Sequence, residues 1–409
     1  MKFEHHIAKQ VAQSFDLLDL PEDFYENPFP YYHALREYSP VKKLPNGSYM
    51  LSRFRDIDTV YKNPKIFSSD KKKEFKPKYG DSLLFEHHTT SLVFNDPPLH
   101  TRVRRLLAGA LTARVIKSMG PALATLVENL MDRMVERETC DLIEDYASAI
   151  PVEVIGNLLD VPHEDRGPLR DWSLTILGAL EPTISPEFLE KGNEAIDEFS
   201  SYLKKLISQR RAHPGNPEHD VLTRLILGEK DGEKLTAKEL LHNCIFLLNA
   251  GHETTTNLIG NGLVILAEHP SERQKLIENP DLIDTAVDEF LRFESPNQLG
   301  NRITTEDIEI DGVMIPAETP ITLCMAAANR DPDKFDNPDQ MDISRKPNRH
   351  FAFAGGIHTC AGMNLARLEC KIAVSHLLKR FPNYRLKGKP VRGGRVRFRG
   401  YLSIPCELK

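Results

Sequence analysis

The chain has 409 residues, 53 of them Lys or Arg and 59 Asp or Glu, and its net charge of −6 argues against nucleic acid or an anionic membrane surface as the main partner. A hydrophobic share of 40%, with 28 Pro and 23 Gly, excludes a disordered or fibrous chain. Six cysteines with no Cys-x-x-Cys among them exclude a disulfide framework and a structural zinc site, and at about 150 residues per domain the length suggests two to three domains.

The opening Met1-Lys2-Phe3-Glu4-His5-His6 carries charges where an export signal needs an apolar run, so a cytoplasmic protein is expected. After an irregular start, helical patterns cover 52–66 and 99–118. Between them lies a segment with Lys71, Lys72, Lys73, Lys76 and Lys78 that reads as a wet loop and that would draw a substrate carboxylate if it faced one. Helical periodicity dominates 119–268, interrupted at Pro151, Pro162, Pro182 and over 213–220. Thr236-Ala237-Lys238-Glu239 is a capping-box pattern opening a helix that runs to about His269, about 50 Å at 1.5 Å per residue and enough to cross the whole molecule. Its apolar stretch carries Asn243, Asn249, His252, Glu253, Asn257 and Asn261, too many polar groups for a lipid-facing span. A further helix is predicted over 271–293, then β-like pieces at 308–315 and 320–325. From Asp331 to Thr359, Pro332, Pro338, Pro347, Gly355 and Gly356 leave no sustained periodicity, and so long a loop inside a compact chain usually has a function. A helix over 361–380 follows directly, and 395–408 reads as β. The fold class expected is mainly α with small β-sheets.

Chemistry concentrates where the loop meets that helix, at Phe353-Ala354-Gly355-Gly356-Ile357-His358-Thr359-Cys360-Ala361-Gly362. Paired glycines let a flat object approach the backbone. A cysteine at a helix start is favoured as thiolate, and a thiolate held there is what an axial ligand to haem iron requires. A second group is Ala250-Gly251-His252-Glu253-Thr254-Thr255, mid-helix, where an acid and a hydroxyl are costly unless used and Ala-Gly leaves room for a bulky ligand. Thr254 can bond back to a carbonyl one turn earlier. A third is Glu289-Phe290-Leu291-Arg292, an i, i+3 ion pair. A fourth is His100 with Arg104 behind Pro97-Pro98, two donors one turn apart that can grip a carboxylate.

Phe353, Gly356, Cys360 and Gly362 at these spacings resemble the haem signature of the cytochrome P450 family, and His358 with Leu365-Ala366-Arg367-Leu368-Glu369 resembles its bacterial branch. Two positions depart from the pattern: Ala354, where the family often has Gly, and Thr359, where it often has a large apolar residue. A hydroxyl at 359 can alter hydrogen bonding to the sulfur. The resemblance implies one triangular-prism domain over 1–409, with no fused reductase, enclosing haem b between the long helix and the Cys360 loop. It implies an iron ligand in Cys360 and haem contacts from Ala250, Phe353, Gly356 and Gly362. It implies propionate contacts from His100, Arg104, Arg302, His350 and His358, and a structural lock of Glu289, Arg292 and Arg345. Thr254 would hold oxygen and water by hydrogen bonds, and Glu253 would help deliver the protons that split the O–O bond. The reaction implied is monooxygenation with O2 as co-substrate, inserting one oxygen atom into a C–H bond or epoxidising. Electrons would come ultimately from NAD(P)H through a ferredoxin or flavodoxin-type donor docking on Arg105, Arg114, Lys117, Arg367 and Lys371.

Position suggests a mainly apolar pocket from Leu83, Leu84, Phe85, Leu92, Val93, Phe94, Leu177, Leu180, Leu247, Gln298, Leu299, Gly300, Tyr401 and Leu402, for a hydrophobic substrate and a monomeric enzyme. Three alternatives stay open on sequence. A peroxide-driven haem-thiolate hydroxylase lacks the acid–threonine pair present here, and a haem sensor or carrier has no need of Thr254. A Cys–His hydrolase built on Cys360 and His358 has no third group to orient the base.

Overall fold

The structure, a computed structural model, describes residues 2–137, 139–217, 220–228 and 234–408. These form two compact units: Met1–Ser69, Asn261–Cys360 and Pro390–Leu402 in the first, Asp70–Gly260, Ala361–Lys389 and Ser403–Lys409 in the second.

In the first unit the start expected to be irregular is helical, with helices His5–Ser14, Glu22–Glu26 and Phe29–Tyr38. Ala8 and Ala12 of the first pack on Ala34 of the third, while Phe24, Phe29, Tyr32 and Leu35 enter a larger apolar cluster. Five short strands follow the order Val41–Lys43, Tyr49–Leu51, Pro320–Cys324, Leu299–Thr304, Phe67–Ser68. The parallel pair, with Tyr49 opposite Ile321, joins residues about two thirds of the chain apart and lies far beyond any local signal. The hairpin read at 308–315 is present as Ile308–Ile310 against Val313–Ile315. The helix predicted over 271–293 is broken at Asn279-Pro280 into Pro270–Glu278 and Ile283–Phe293, because Pro has no N–H to continue the ladder.

In the second unit the Lys-rich segment is no loop: it folds as helices Lys72–Tyr79 and Leu83–Thr90. Lys71 is 1% exposed and pairs with Glu74 at 2.6 Å. The pattern over 99–118 divides into Leu99–Ala110 and Ala113–Val135, the second capped by Thr112 Oγ1 accepting from the Val115 N–H. The tail strand Pro405–Glu407 lies between Cys140–Asp141 and Arg385–Leu386. The long helix Ala237–Glu268 has 32 residues, about 48 Å, and its capping box is made. Glu239 N–H donates to Thr236 Oγ1 at 3.2 Å, and Thr236 N–H donates to Glu239 Oε2 at 2.9 Å.

The stretch 331–359 lacks regular structure apart from a short turn, so its polar backbone needs other partners. A buried charge cluster supplies them. Glu289 and Arg292 side chains are 0% exposed and paired at 2.7 Å. Onto the same carboxylate converge Arg345 Nε at 3.2 Å, the Asp342 N–H at 3.1 Å and Asn348 Nδ2 at 3.0 Å. Arg292 donates onward to the Pro338 and Asn329 carbonyls, and Arg345 to the Asp336 carbonyl. The Glu-x-x-Arg pair and the loop arginine named from sequence thus share one carboxylate. Replacing Glu289 by Ala would leave Arg292 charged and without its carboxylate partner in the core, and a loss of about 3–5 kcal/mol is expected in urea unfolding. A loss below about 1 kcal/mol would mean the cluster behaves as an exposed pair does.

Candidate haem site

The loop ahead of Cys360 is shaped by two residues in the left-handed region, Ala354 at φ +56° and Gly356 at φ +64°. At Gly356 a Cβ would collide with the Tyr61 carbonyl oxygen, and at Gly355 one would lie 2.9 Å from Tyr61 Cδ2. Both glycines are therefore imposed by the close approach of the helix Phe54–Lys62. Ala354 pays the strain that glycine avoids, about 1 kcal/mol, which is the physical reason that glycine suits this position. The loop closes on itself where the Ala354 N–H donates to Phe351 O at 2.8 Å and the Cys360 N–H to Phe353 O at 2.9 Å. Cys360 is half-buried, as are Phe353 and His358. The regular helix begins at Met363, later than the sequence suggested, with Gly362 as its cap.

Thr359 donates its hydroxyl proton to Gly356 O at 2.8 Å. A hydroxyl has one proton, so this bond is not directed at sulfur. His350 is buried with Nε2 3.5 Å from Asp288 Oδ1, so an acidic side chain already occupies the neighbourhood in which a propionate contact was expected. Arg302 donates to the Asn301 carbonyl at 2.7 Å and lies over the Tyr61 ring at 5.2 Å. Tyr61, which carries no sequence signal beyond its place on an amphipathic helix, is thus the residue that the sequence reading missed. It touches both glycines, Arg302 and the Phe351 ring at 5.4 Å, and its hydroxyl meets Met325 Sδ at 3.1 Å.

In the second unit, Thr254 Oγ1 donates to Ala250 O at 2.7 Å, the back-bond expected of it. The space left by Gly251 is not open to a ligand: a Cβ there would collide with Ile155 Cδ1, because this face packs on the helix Ala149–Leu158. Glu253 is 5% exposed. His252 beside it is buried too, and burial first, then the Arg170 charge, bring its pKa down to about 4. His100 is buried and Arg104 half-buried on Leu99–Ala110. Asn243, on the long helix, accepts the Leu92 N–H at 2.9 Å and so fixes the stretch bearing Val93 and Phe94.

One thiol on a glycine-shaped loop, half-buried and held through its own N–H, fits the single protein ligand that haem needs on one side. The comparisons with known proteins agree. The Cytochrome P450 family model matches residues 179–390. The chain is 38% identical over 367 residues to the biotin biosynthesis cytochrome P450 of Bacillus subtilis, covering 89% of this chain and 91% of that protein.

This chain belongs to the cytochrome P450 family. It is also 37% identical to the vitamin D(3) 25-hydroxylase of Pseudonocardia autotrophica over 89% of this chain and 88% of that one. Among solved structures it resembles P450BioI in complex with hexadec-9Z-enoic acid ligated acyl carrier protein, with a TM-score of 0.89 at 35% identity, covering 95% and 100% of the two chains. Myxobacterial CYP267B1 in complex with myristic acid gives 0.87 at 34% identity, covering 95% and 98%. The protein is therefore a P450 monooxygenase with the P450 fold, mainly helical with small sheets, and haem is the family's cofactor. No helix among the described residues is long and apolar enough to cross a membrane.

The pocket residues read from sequence of this P450 fall in different surroundings. Phe85, Val93, Phe94 and Leu247 are half-buried, as lining residues should be. Leu84 is 0% exposed and packs where Gly192 leaves space, and Leu177 is buried. Leu299 belongs to an apolar cluster with Phe24, Tyr32 and Met50, and Gln298 is fully buried, donating to Ser295 O. Tyr401 is buried under Arg392 at 4.0 Å, while its neighbour Leu402 is 53% exposed. Of the lysines, Lys71, Lys72 and Lys76 meet Glu74, Asp70 and Asp81 of their own segment, so little positive charge is left over for a substrate carboxylate.

His252 makes the stability of this P450 depend on pH. Its folded pKa of about 4 lies below the ordinary 6.5, so below 6.5 the unfolded chain binds the proton first and stability falls with pH. About 3 kcal/mol is lost between 6.5 and 4. Relative to wild type, His252→Gln should flatten the denaturation midpoint over this window, and an unchanged slope would mean that His252 does not titrate on unfolding.

Proposed function

We propose that this P450 inserts one oxygen atom from O2 into a C–H bond of a hydrophobic small molecule, with electrons delivered by a separate protein. The observation carrying the proposal is the half-buried Cys360, its N–H closed onto Phe353 O at the end of a loop that only glycine can build at Gly356. Cys360 Sγ would hold the haem iron, and Ala250, Phe353, Gly356 and Gly362 would contact the haem. His100, Arg104, Arg302, His350 and His358 would meet the propionates. When bound, haem supplies the iron at which O2 is activated.

The chain's own residues do the rest. Thr254 turns its proton to Ala250 O, which leaves its oxygen lone pairs to accept a hydrogen bond from water. Glu253, buried one residue earlier, would carry protons inward. Phe85, Val93, Phe94 and Leu247 would hold the substrate by apolar contact and exclude water. The apolar ligands named for P450BioI and CYP267B1 support a hydrophobic substrate. Arg105, Arg114 and Lys117 are exposed on the second unit, with Arg367 and Lys371 half-exposed. They would receive an acidic ferredoxin or flavodoxin drawing on NAD(P)H. The motifs for one cofactor run along the sequence from His100 to Cys360, and on that ground we treat 1–409 as one working domain.

Reduced protein under carbon monoxide should show the strongly red-shifted Soret band of thiolate ligation, and Cys360→Ser should lose it. A globin-like band in the wild type would rule out the Cys360 assignment. With a substrate found by its spin shift, Thr254→Ala should keep consuming oxygen while product per oxygen falls at least about tenfold. Unchanged coupling would overturn the role given to Thr254, and oxygen consumption with no product from the wild type would argue for a sensor or carrier.

A further inference from the structure

The tail strand of the second unit brings two cysteines together that the haem chemistry does not use. Cys406 of Pro405–Glu407 stands directly opposite Cys140 of Cys140–Asp141 in an antiparallel register. Opposed residues in such a pair project to one face with Cβ atoms about 4.5–5.5 Å apart, and a disulfide needs about 3.5–4.5 Å with Cα atoms about 4.4–6.8 Å apart. A small closing movement therefore suffices. Cys140 Sγ already reaches the Cys406 carbonyl at 3.7 Å, and the residues are 6% and 0% exposed. Beside Cys406 the pKa of Cys140 is brought down in favour of its thiolate, against its own burial, while Cys140 and burial push that of Cys406 up. Arg137 favours that thiolate and Asp141 and Asp145 oppose it. By contrast, burial pushes the thiols of Cys244 and Cys324 up to about 12 and that of Cys370 higher still. A nucleophilic thiolate beside a resolving thiol is the arrangement that redox-responsive cysteines share.

We propose that Cys140 and Cys406 are a reversible redox pair, closed to a disulfide by hydrogen peroxide and reopened by dithiols. Cys140 thiolate attacks one peroxide oxygen, the O–O bond breaks, hydroxide leaves and Cys140 becomes a sulfenic acid. Cys406 sulfur then attacks Cys140 sulfur, the S–O bond breaks, and the Cys406 proton leaves with that oxygen as water. In sum, two thiols and one peroxide give one disulfide and two waters. Access comes through local opening of the three-residue tail strand. The bond would fix a strand already pinned by the Leu142 N–H donating to Ile404 O and the Ile404 N–H donating to Asp141 Oδ1. Because it would join residues 266 positions apart, it would restrict the unfolded chain strongly. Nothing in this step depends on the haem reading.

The test treats the purified holoprotein with a few equivalents of hydrogen peroxide, removes the excess with catalase, alkylates under denaturing conditions and maps peptides without reduction. The expected product is a Cys140–Cys406 linked peptide that dithiothreitol dissolves, with a thermal midpoint raised by about 3 °C before reduction. Cys140→Ser and Cys406→Ser should keep the wild-type absorption spectrum, form no such link and show no peroxide-dependent rise. Recovery of both cysteines fully alkylated, or linkage only to Cys360 or another cysteine, would overturn the pair. Linkage with no change in midpoint would overturn its role as a clamp.

Discussion

Everything around the cysteine loop rests on one carboxylate. Glu289 is wholly buried, and an isolated charge there would be prohibitive. It is stable only because two guanidinium groups, a backbone N–H and an amide converge on it. Since most of those donors belong to 331–359, or donate onward to it, the same contacts that solvate the carboxylate hold a loop with no regular structure of its own. Charge satisfaction does for this loop what hydrogen-bond ladders do for helices and strands.

Upon that anchor the local geometry is set by close approach. Tyr61 presses its backbone oxygen and ring edge against Gly356 and Gly355, and no residue with a Cβ fits at Gly356. The alanine at 354 accepts a left-handed backbone in the same turn. Rigidity of this kind suits a metal ligand, whose position must be fixed before the metal binds. In the other unit the long helix is shaped by different means: a capping box at its start, Thr254 bonded back to Ala250, and Gly251 yielding its space to Ile155.

The cysteines divide by environment. Cys360 sits half-buried at the loop's end, Cys244, Cys324 and Cys370 are buried with their thiols pushed up, and Cys140 and Cys406 face each other across a strand pair. Composition alone treats all six alike, because reactivity depends on neighbours that the chain brings from far away.

The amino-acid sequence by itself determined the family and singled out Cys360, the acid–threonine pair, the Glu-x-x-Arg pair with its loop arginine, and the capped long helix. Each is a short motif whose chemistry depends on spacing along the chain. It did not determine the N-terminal helices, nor the helical fold of the Lys71–Lys78 segment, three of whose lysines are matched locally by Glu74, Asp70 and Asp81. Nor did it separate lining from core: Leu299 and Phe94 are equally apolar, yet one is sealed in a cluster and the other half-buried. Only the tertiary structure decided that His350 faces Asp288, that Tyr61 shapes the glycine turn and that Cys406 meets Cys140. The reason is common to all three: each contact joins residues too distant in sequence for any periodicity to record.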